Sequence, residues 1–471
     1  MPALADPGIF KAYDIRGRWE EEIDADAFEL IGRAFARVLA DLEGKPASEL
    51  RVGLGRDMRL QAPESAGRLR DGLVAEGVEV LDAGQIGTEM LYFLVGSRGL
   101  DGGAMITASH NPKGYIGAKL IRSGALALSG DAGIGEIRDM VRGEIDAEGS
   151  AGGLGDPPGH GSVTQIDDLY TEFQDYAAGL IDVDAVRPLK VVVDGGNGMA
   201  GPMVGPLLER MGLDLVSTYW VPDGEFPDHE PNPLLPENRE FIVRRVKEEG
   251  ADLGIAWDGD ADRCFFFDSA GDFVDGDFLS ALLARQVLGK EPGARILYDV
   301  RASRAVRDTV AELGGSSDTN RVGHAFFKVG LREQNAAFGG EVSGHYYFRD
   351  FWCADSGTLP ALYVLELLST QDKNLAELVA DLRSEYFISS EINSEVADGE
   401  AKMEELVARY GPDGEGGEVD RLDGVSVDFE DWHFNVRPSN TEPLLRLNLE
   451  SLVSREDMER RRDELLEQIR S

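Results

Sequence analysis

KVVVDGGNG, from Lys190 to Gly198, decides the fold: a run of valines meets an acidic residue and then a glycine-rich turn, so a buried strand must end abruptly. The turn is neither G-x-G-x-x-G nor a P-loop, and it reads as a strand-to-helix connection rather than a nucleotide loop. RVGLGRD, Arg51 to Asp57, and RILYDVR, Arg295 to Arg301, open in the same way. Each opening leads through a helix-like stretch to a second strand-like run: VEVLDAG (Val78 to Gly84), LDLVSTYW (Leu213 to Trp220) and SSDTNRVG (Ser316 to Gly323). Alternating strands and helices predict parallel α/β sheets. A third short run in each unit breaks into a polar loop, namely TASHNP (Thr107 to Pro112), WDGDADR (Trp257 to Arg263) and GGEVSGH (Gly339 to His345). Ligands gather at the carboxyl ends of strands in such sheets, so three equivalent loops are candidates to serve one cleft. The plain alternative is three α/β domains whose likeness is generic.

The character changes after Asp381. SEYFISSEIN and then VSVDFEDWHFNVRPSNTEPLLRLNLES read as strands joined by a turn, and SREDMERRRDELLEQIRS as a closing helix opened by Ser454. The Gly-rich stretch from Gly149 to Gly161, with Pro157 and Pro158, reads as a linker. The expected architecture is three similar α/β domains with mainly parallel mixed sheets plus a C-terminal α+β domain, divided as 1–158, 159–264, 265–382 and 383–471.

The 471 residues carry 47 Lys+Arg against 87 Asp+Glu, a formal charge of −40, and 42% are hydrophobic, enough to build packed cores. That charge repels nucleic acid and anionic membrane surfaces over a Debye length of about 8 Å, so neither is an expected partner. Arg and acidic residues dominate while Lys is scarce, which fits solubility alone or a salty cytoplasm. No run approaches the ~20 apolar residues of a membrane span, and the N-terminus lacks a basic-then-apolar opening, so the expected location is the cytoplasm. Cys264 and Cys353 stand far apart and outside any ligand-spaced cluster, which excludes a disulfide framework and a thiolate zinc site. An anionic substrate must then be captured by a few placed cations working against the global field.

Asp258, Asp260 and Asp262 alternate with Gly259 and Ala261, small spacers that let a loop fold around a hard cation. An EF-hand would need Gly at Arg263 and Glu at Ser269, so Mg²⁺ is the preferred ion. The apolar flanks LGIAW and CFFF separate this loop from an ordinary solvated acidic run, and Cys264 beside it reads as a packing residue. TASHNP sets Ser109 and His110 ahead of Asn111-Pro112, in a turn whose hydroxyl is a nucleophile, a phosphate carrier or, taken alone, merely a turn residue. A Ser-His-Asp hydrolase is disfavoured, because adjacent Ser and His side chains need unusual geometry to pair and no G-x-S-x-G elbow surrounds them. RPSNTEP, Arg437 to Pro443, combines a guanidinium with Ser439, Asn440 and Thr441, donors suited either to phosphate oxygens or to a turn's own backbone. GEVSGH offers Glu341 and Ser343 to substrate hydroxyls and His345 as an acid or base, a buried structural Glu being the alternative. Three of the six histidines, His110, His324 and His345, fall in these loops.

Together AYDIRG (Ala12 to Gly17), TASHNP, VVVDGGNG, DGDADR, GEVSGH and RPSNTEP resemble, in order and spacing and along nearly the whole chain, the α-D-phosphohexomutases. Within these the likeness is to the bacterial and archaeal phosphomannomutase/phosphoglucomutase group. The resemblance implies four domains around a central cleft, each contributing one loop. It implies Ser109 as a phosphoserine, and Asp258, Asp260 and Asp262 as ligands of one Mg²⁺ whose fourth protein-derived ligand is that phosphate. Arg263 matches the arginine near the phosphate, Glu341 and Ser343 the residues that hold the sugar's 3- and 4-hydroxyls, and Arg437, Ser439, Asn440 and Thr441 the loop that grips the distal phosphate. Tyr13, Arg16, Lys119 and His345 match groups that orient the phosphoryl group or act as acid and base. His110 joins the catalytic set, and Arg301 and His324 the substrate-binding set. The implied activity interconverts hexose 1- and 6-phosphates, with glucose or mannose 1,6-bisphosphate as activator and intermediate, in a monomer or weak dimer. Two departures stand out: Ile116-Gly117 precedes Ala118-Lys119 where the family often has Asn-Gly, and Arg301 replaces the lysine of some members. Asn440 with GEVSGH leans towards mannose and glucose phosphates. The alternatives are a phosphoglucosamine mutase and a catalytically silent sugar-phosphate binder, the latter disfavoured because Ser109, the three aspartates and Arg437 are all present.

Overall fold

Branched side chains covered on both faces favour a central strand, and Lys190–Asp194 is one, buried from Val191 onward. It pairs in parallel with Asp214–Thr218 on one side and Leu253–Trp257 on the other, and Cys264–Phe267 returns antiparallel to the latter. Both Leu253–Trp257 and Cys264–Phe267 are buried throughout, so the acidic loop between them turns inside the protein. The computed structural model describes residues 4–130, 132–146, 154–438 and 444–471. These fall into two units, Met1–Phe273 with His345–Asp372, and Val274–Gly344 with Lys373–Ser471.

The first unit repeats that plan in its N-terminal sheet. Arg51–Arg56 runs parallel to Glu79–Gln85 and Gly102–Ile106, Tyr115–Arg122 returns antiparallel to Gly102–Ile106, and Ile15–Arg18 lies outside it, also antiparallel. TASHNP thus connects a parallel strand to an antiparallel one, as WDGDADR does in the other sheet. Helix Ala25–Glu43 opens where the Asp24 carboxylate accepts from the Ala27 N–H and closes at Gly44 in the left-handed region. It packs on helix Ala62–Ala75 almost backbone to backbone. A Cβ on Gly32 would sit 2.2 Å from the Leu69 carbonyl oxygen, and one on Gly72 2.1 Å from that of Glu29.

In the second unit Arg295–Asp299 is flanked in parallel by Ser316–Asn320 and Phe338–Gly340, and GGEVSGH begins within the last of these. The C-terminal sheet is wholly antiparallel, with Trp432–Pro438 between Val425–Asp428 and Leu444–Ser451. Its core joins Val425, Val427, Phe434, Val436, Leu445, Leu447 and Leu449 to Leu406 and Tyr410 of helix Gly399–Tyr410 and to Met458, Leu465 and Ile469 of helix Arg455–Arg470. Ser454 caps that last helix by accepting from the Asp457 N–H at 3.1 Å. The expected fold class is therefore met: three α/β sheet systems of one plan and a closing α+β element. Residues 154–161 form neither helix nor strand, while 149–153 of the expected linker lie outside the described residues. Among the described residues no helix is long and apolar enough to cross a membrane.

Because overpacking a close contact costs about 1–3 kcal/mol, Gly32→Ala should lower stability by that amount; an unchanged urea midpoint would show that the two helices separate freely.

Candidate active site

Burying three carboxylates costs several kcal/mol each unless cations and donors compensate, and the first unit supplies both. Asp258, Asp260 and Asp262 are at most 1% exposed. Arg263 donates from Nε and Nη2 to Asp258 Oδ2 at 2.9 and 2.8 Å. Lys119, projecting from Tyr115–Arg122, donates from Nζ to Asp260 Oδ2 at 2.7 Å and also to Asp262. Thr88 and Thr107 add their hydroxyls to Asp260 Oδ2 at 2.5 and 3.3 Å. Burial lowers the proton affinity of Lys119, but Asp260 and Asp262 outweigh it and hold the ammonium charged. Burial and the Asp260 charge push Asp262 up to about 6 against the pull of Lys119, while Lys119 and Thr88 overcome burial to hold Asp260 below the usual range.

Ser109 meets this cluster from TASHNP. Its Oγ donates to Asp258 Oδ2 at 2.9 Å and its N–H to Thr107 Oγ1 at 2.8 Å. The residue sits at φ +48°, in the left-handed region that non-glycine residues seldom adopt. That backbone brings Oγ to 3.2 Å from His110 Nδ1, the unusual geometry that an adjacent Ser-His pair requires. It does not make a hydrolase triad: the Arg263 Nη2–H donates to the same Nδ1 at 2.5 Å, and burial with Arg263 and Arg16 holds the imidazole well below its ordinary pKa. A Cβ on Gly259 would lie 2.5 Å from the Ser109 carbonyl oxygen, so the serine and acidic loops touch through backbone.

Arg59, absent from the sequence-based candidates, holds TASHNP in shape. Its Nη2 donates to the carbonyls of Ser109 and Asn111 at 2.8 and 2.6 Å and its Nη1 to those of Pro112 and Tyr115 at 2.9 and 3.1 Å. The signal for it was the Asp57-x-Arg59 step after the first strand, since Asp57 Oδ2 pairs with Arg59 Nε at 3.3 Å. Arg16 Nη1 donates to Asn111 Oδ1 at 2.6 Å and Nη2 to Asp14 Oδ2 at 2.5 Å, with half-buried Tyr13 next along the chain. His345 Nδ1 is 3.0 Å from Oδ2 of buried Asp355, a partner that no motif announced. Burial lowers the imidazole pKa, but that hydrogen bond and the charges of Asp262 and Asp355 raise it above its ordinary value.

In the second unit Arg301 and Glu341 lie about Asp299. Asp299 Oδ1 accepts from the Arg301 N–H and Nε at 2.8 and 3.0 Å, and its Oδ2 from Arg301 Nη2 at 2.8 Å and the Val342 N–H at 3.0 Å. Glu341 Oε2 accepts from the Gly323 N–H at 3.0 Å and lies 3.8 Å from Arg301 Nη2, while His324 begins the following helix. Ser343 is half-buried. Arg437 is the penultimate residue of Trp432–Pro438 and donates from Nη2 to Glu391 Oε2 at 3.1 Å. Ser439, Asn440 and Thr441 lie outside the described residues.

The chemistry of the acidic loop fits a hard divalent cation. Its three carboxylates offer oxygens within 4.8 Å of one another, and among the described residues Asp260 Oδ1 and Asp262 Oδ1 are buried acceptors without a hydrogen-bond partner.

Comparison with known proteins agrees along the chain. Models of phosphoglucomutase/phosphomannomutase match in order: alpha/beta/alpha domain I at residues 7–147, domain II at 171–271, domain III at 275–386 and the C-terminal domain at 391–468. The chain is 43% identical over 442 residues to the phosphohexose mutases of Xanthomonas campestris pv. campestris, covering 94% of each. It is 42% identical over 468 residues to the phosphomannomutase of Salmonella montevideo, covering 98% of this chain and 99% of that one. The structure of a phosphoglucomutase/phosphomannomutase family protein from Burkholderia thailandensis aligns with TM-score 0.86 and 33% identity over 99% of this chain and 97% of that one. The open form of the phosphoglucomutase pp63/parafusin from Paramecium shares the fold at TM-score 0.75 and 18% identity, over 100% and 96% of the two chains.

Two outcomes test the acidic loop. A folded-state pKa raised above the ordinary value means that metal-free stability contributed by protonated Asp262 is lost as pH rises through about 6. Mg²⁺ must displace that proton, so its calorimetric affinity should climb with pH through about 6 and level off above; a flat profile would remove Asp262 from the ligand set. Lys119→Met leaves buried carboxylates without their shared cation and should cost the metal-free protein about 3–5 kcal/mol. Added Mg²⁺ should raise the unfolding midpoint of this variant more than that of the native chain, and an equal rise would count against the shared site.

Proposed function

The chain belongs to the phosphoglucomutase/phosphomannomutase family, and from that premise we propose that it interconverts hexose 1-phosphates and 6-phosphates, mannose and glucose phosphates foremost, through phospho-Ser109 and a hexose 1,6-bisphosphate. The observation that carries this reading is the Ser109 hydroxyl hydrogen-bonded to Asp258 within the buried acidic loop, beside Arg263.

The roles divide by element. In the first transfer the bond from Ser109 Oγ to phosphorus breaks as the sugar hydroxyl forms its own bond to phosphorus, and the hydroxyl proton passes to a base. His345, steered at Nδ1 by Asp355, is the base assigned to that proton. Lys119, held charged, and Arg16 neutralise phosphoryl oxygens, and Arg263 lies where charge develops on the transferring group. The intermediate then exchanges its two phosphates; its other phosphoryl group returns to Ser109 Oγ, and the proton goes back to the sugar oxygen. Asp258, Asp260 and Asp262 would hold Mg²⁺, which when bound supplies positive charge against the transferring phosphoryl group. Glu341 and Ser343 would recognise neighbouring sugar hydroxyls, and Arg437 with Ser439, Asn440 and Thr441, aided by Arg301 and His324, would grip the phosphate that is not reacting.

An assay with Mg²⁺ and glucose 1,6-bisphosphate should show turnover of mannose 1-phosphate and glucose 1-phosphate. Reaction of glucosamine 1-phosphate alone would overturn the substrate reading. Ser109→Ala should lose at least about 10⁴-fold in kcat, since nothing else carries the phosphoryl group, while the protein still folds and loses no more than the roughly 1–3 kcal/mol of the Asp258 hydrogen bond; near-native turnover would end the relay through this residue. Arg437→Ala should raise KM for both hexose phosphates by about 10- to 100-fold, the worth of one charge-assisted phosphate contact; an unchanged KM would remove it from the distal-phosphate role.

A further inference from the structure

Glu391 lies in no motif, yet three arginines converge on it. Its Oε2 accepts from Arg301 Nη1 at 3.3 Å and Arg437 Nη2 at 3.1 Å, and its Oε1 from Arg446 Nη1 at 3.0 Å. The arginines come from different elements: Arg301 just beyond Arg295–Asp299, Arg437 on Trp432–Pro438 and Arg446 directly opposite it on Leu444–Ser451. Like charges facing each other across antiparallel strands repel, so this pairing calls for an anion between them. Glu391 provides one from the residue preceding strand Ile392–Glu395, which itself pairs with Leu444–Ser451.

The carboxylate is only partly enclosed. Its side chain is 25% exposed, against 5% for Arg301 and 9% for Arg437. Burial raises its pKa, but Arg301, Arg437 and Arg446 outweigh that and hold it below the usual carboxylate range. Arg301 is anchored independently by Asp299, so the guanidinium fork does not need Glu391 to stay in place. Two carboxylate oxygens spread across three guanidiniums occupy the donors that two oxygens of a phosphate would take. A distal phosphate and this carboxylate cannot both sit on Arg437 without like-charge repulsion.

We propose that Glu391 is a built-in stand-in for the substrate's distal phosphate: it keeps Arg437 and Arg446 converged on the Asp299-anchored Arg301 and yields Arg437 when phosphate arrives. This rests on the reading of Arg437 as the distal-phosphate residue. Competition of this kind weakens phosphate binding and speeds its release, which suits a relay whose bisphosphate must let go of its distal phosphate before it can present the other one. Glu391 is thus a positioning and affinity-setting residue that leaves the bonds being made and broken to other groups.

The test compares the full native chain with Glu391→Gln and Arg437→Gln, using inorganic phosphate in calorimetry and hexose 1-phosphate in the Mg²⁺ assay. Removing one like charge beside the phosphate should tighten inorganic phosphate binding by Glu391→Gln by about three- to tenfold and lower KM comparably, with kcat falling as release slows. Equal or weaker phosphate binding, or a raised KM at unchanged kcat, would overturn the stand-in and leave Glu391 a structural brace. Should the Gln variant fail to fold, Glu391→Asp carries the test: its shorter reach should move phosphate affinity in the same direction by less, and no movement would overturn the proposal. Arg437→Gln separates the two readings. If it leaves phosphate affinity unchanged, the distal-phosphate reading fails and the stand-in with it; if it weakens binding while neither Glu391 variant tightens it, only the stand-in fails.

Discussion

Three buried carboxylates in one short loop are the constraint on which the candidate site depends. Asp258, Asp260 and Asp262 would force the loop into solvent if nothing answered their charge, because an unpaired buried carboxylate costs more than any single packing contact returns. Arg263 and Lys119 answer it, from the same hairpin and from the N-terminal sheet respectively. The serine loop is drawn to the same place by Ser109 Oγ on Asp258 and by the carbonyl that closes on Gly259. Arg59 then holds the carbonyls of Ser109 and Asn111, so the left-handed serine is over-determined by the surroundings.

The same logic, with signs reversed, runs through the second unit. There arginines are the buried charges and carboxylates the answer: Asp299 spans Arg301, and Glu391 gathers Arg301, Arg437 and Arg446. A chain of net charge −40 can collect an anion only where guanidinium groups are concentrated and oriented. Burial among fixed carboxylates keeps them oriented, and it leaves their donors partly committed before any ligand arrives.

Much of the fold is readable along the chain because its signals are local. KVVVDGGNG, RVGLGRD and RILYDVR become parallel strands ending in turns, and Ser454 caps the closing helix, since apolar periodicity, glycine turns and cap residues act within a few positions. The acidic triplet is legible for the same reason, as its apolar flanks demand a buried hairpin. Thr88, Asp355 and Glu391 are not legible as site residues, and Arg59 is so only through the Asp57-x-Arg59 step. Each matters through a partner at least 10 residues away, on Ser109, Asp260, His345 and the arginines, and a single Thr or Glu has no local mark of such a role.

What the sequence by itself determined is the order of strands, helices and polar loops, and the chemical kind of each loop: hydroxyl, carboxylate, guanidinium. Those follow from side-chain polarity and backbone preference over short spans. Only the tertiary structure decided which groups neutralise which. It set Lys119 between Asp260 and Asp262, His345 against Asp355 and Glu391 among three arginines. The reason is electrostatic: in a poorly polarisable interior the energy of a charge depends on neighbours within a few ångströms, and chain folding alone sets those distances.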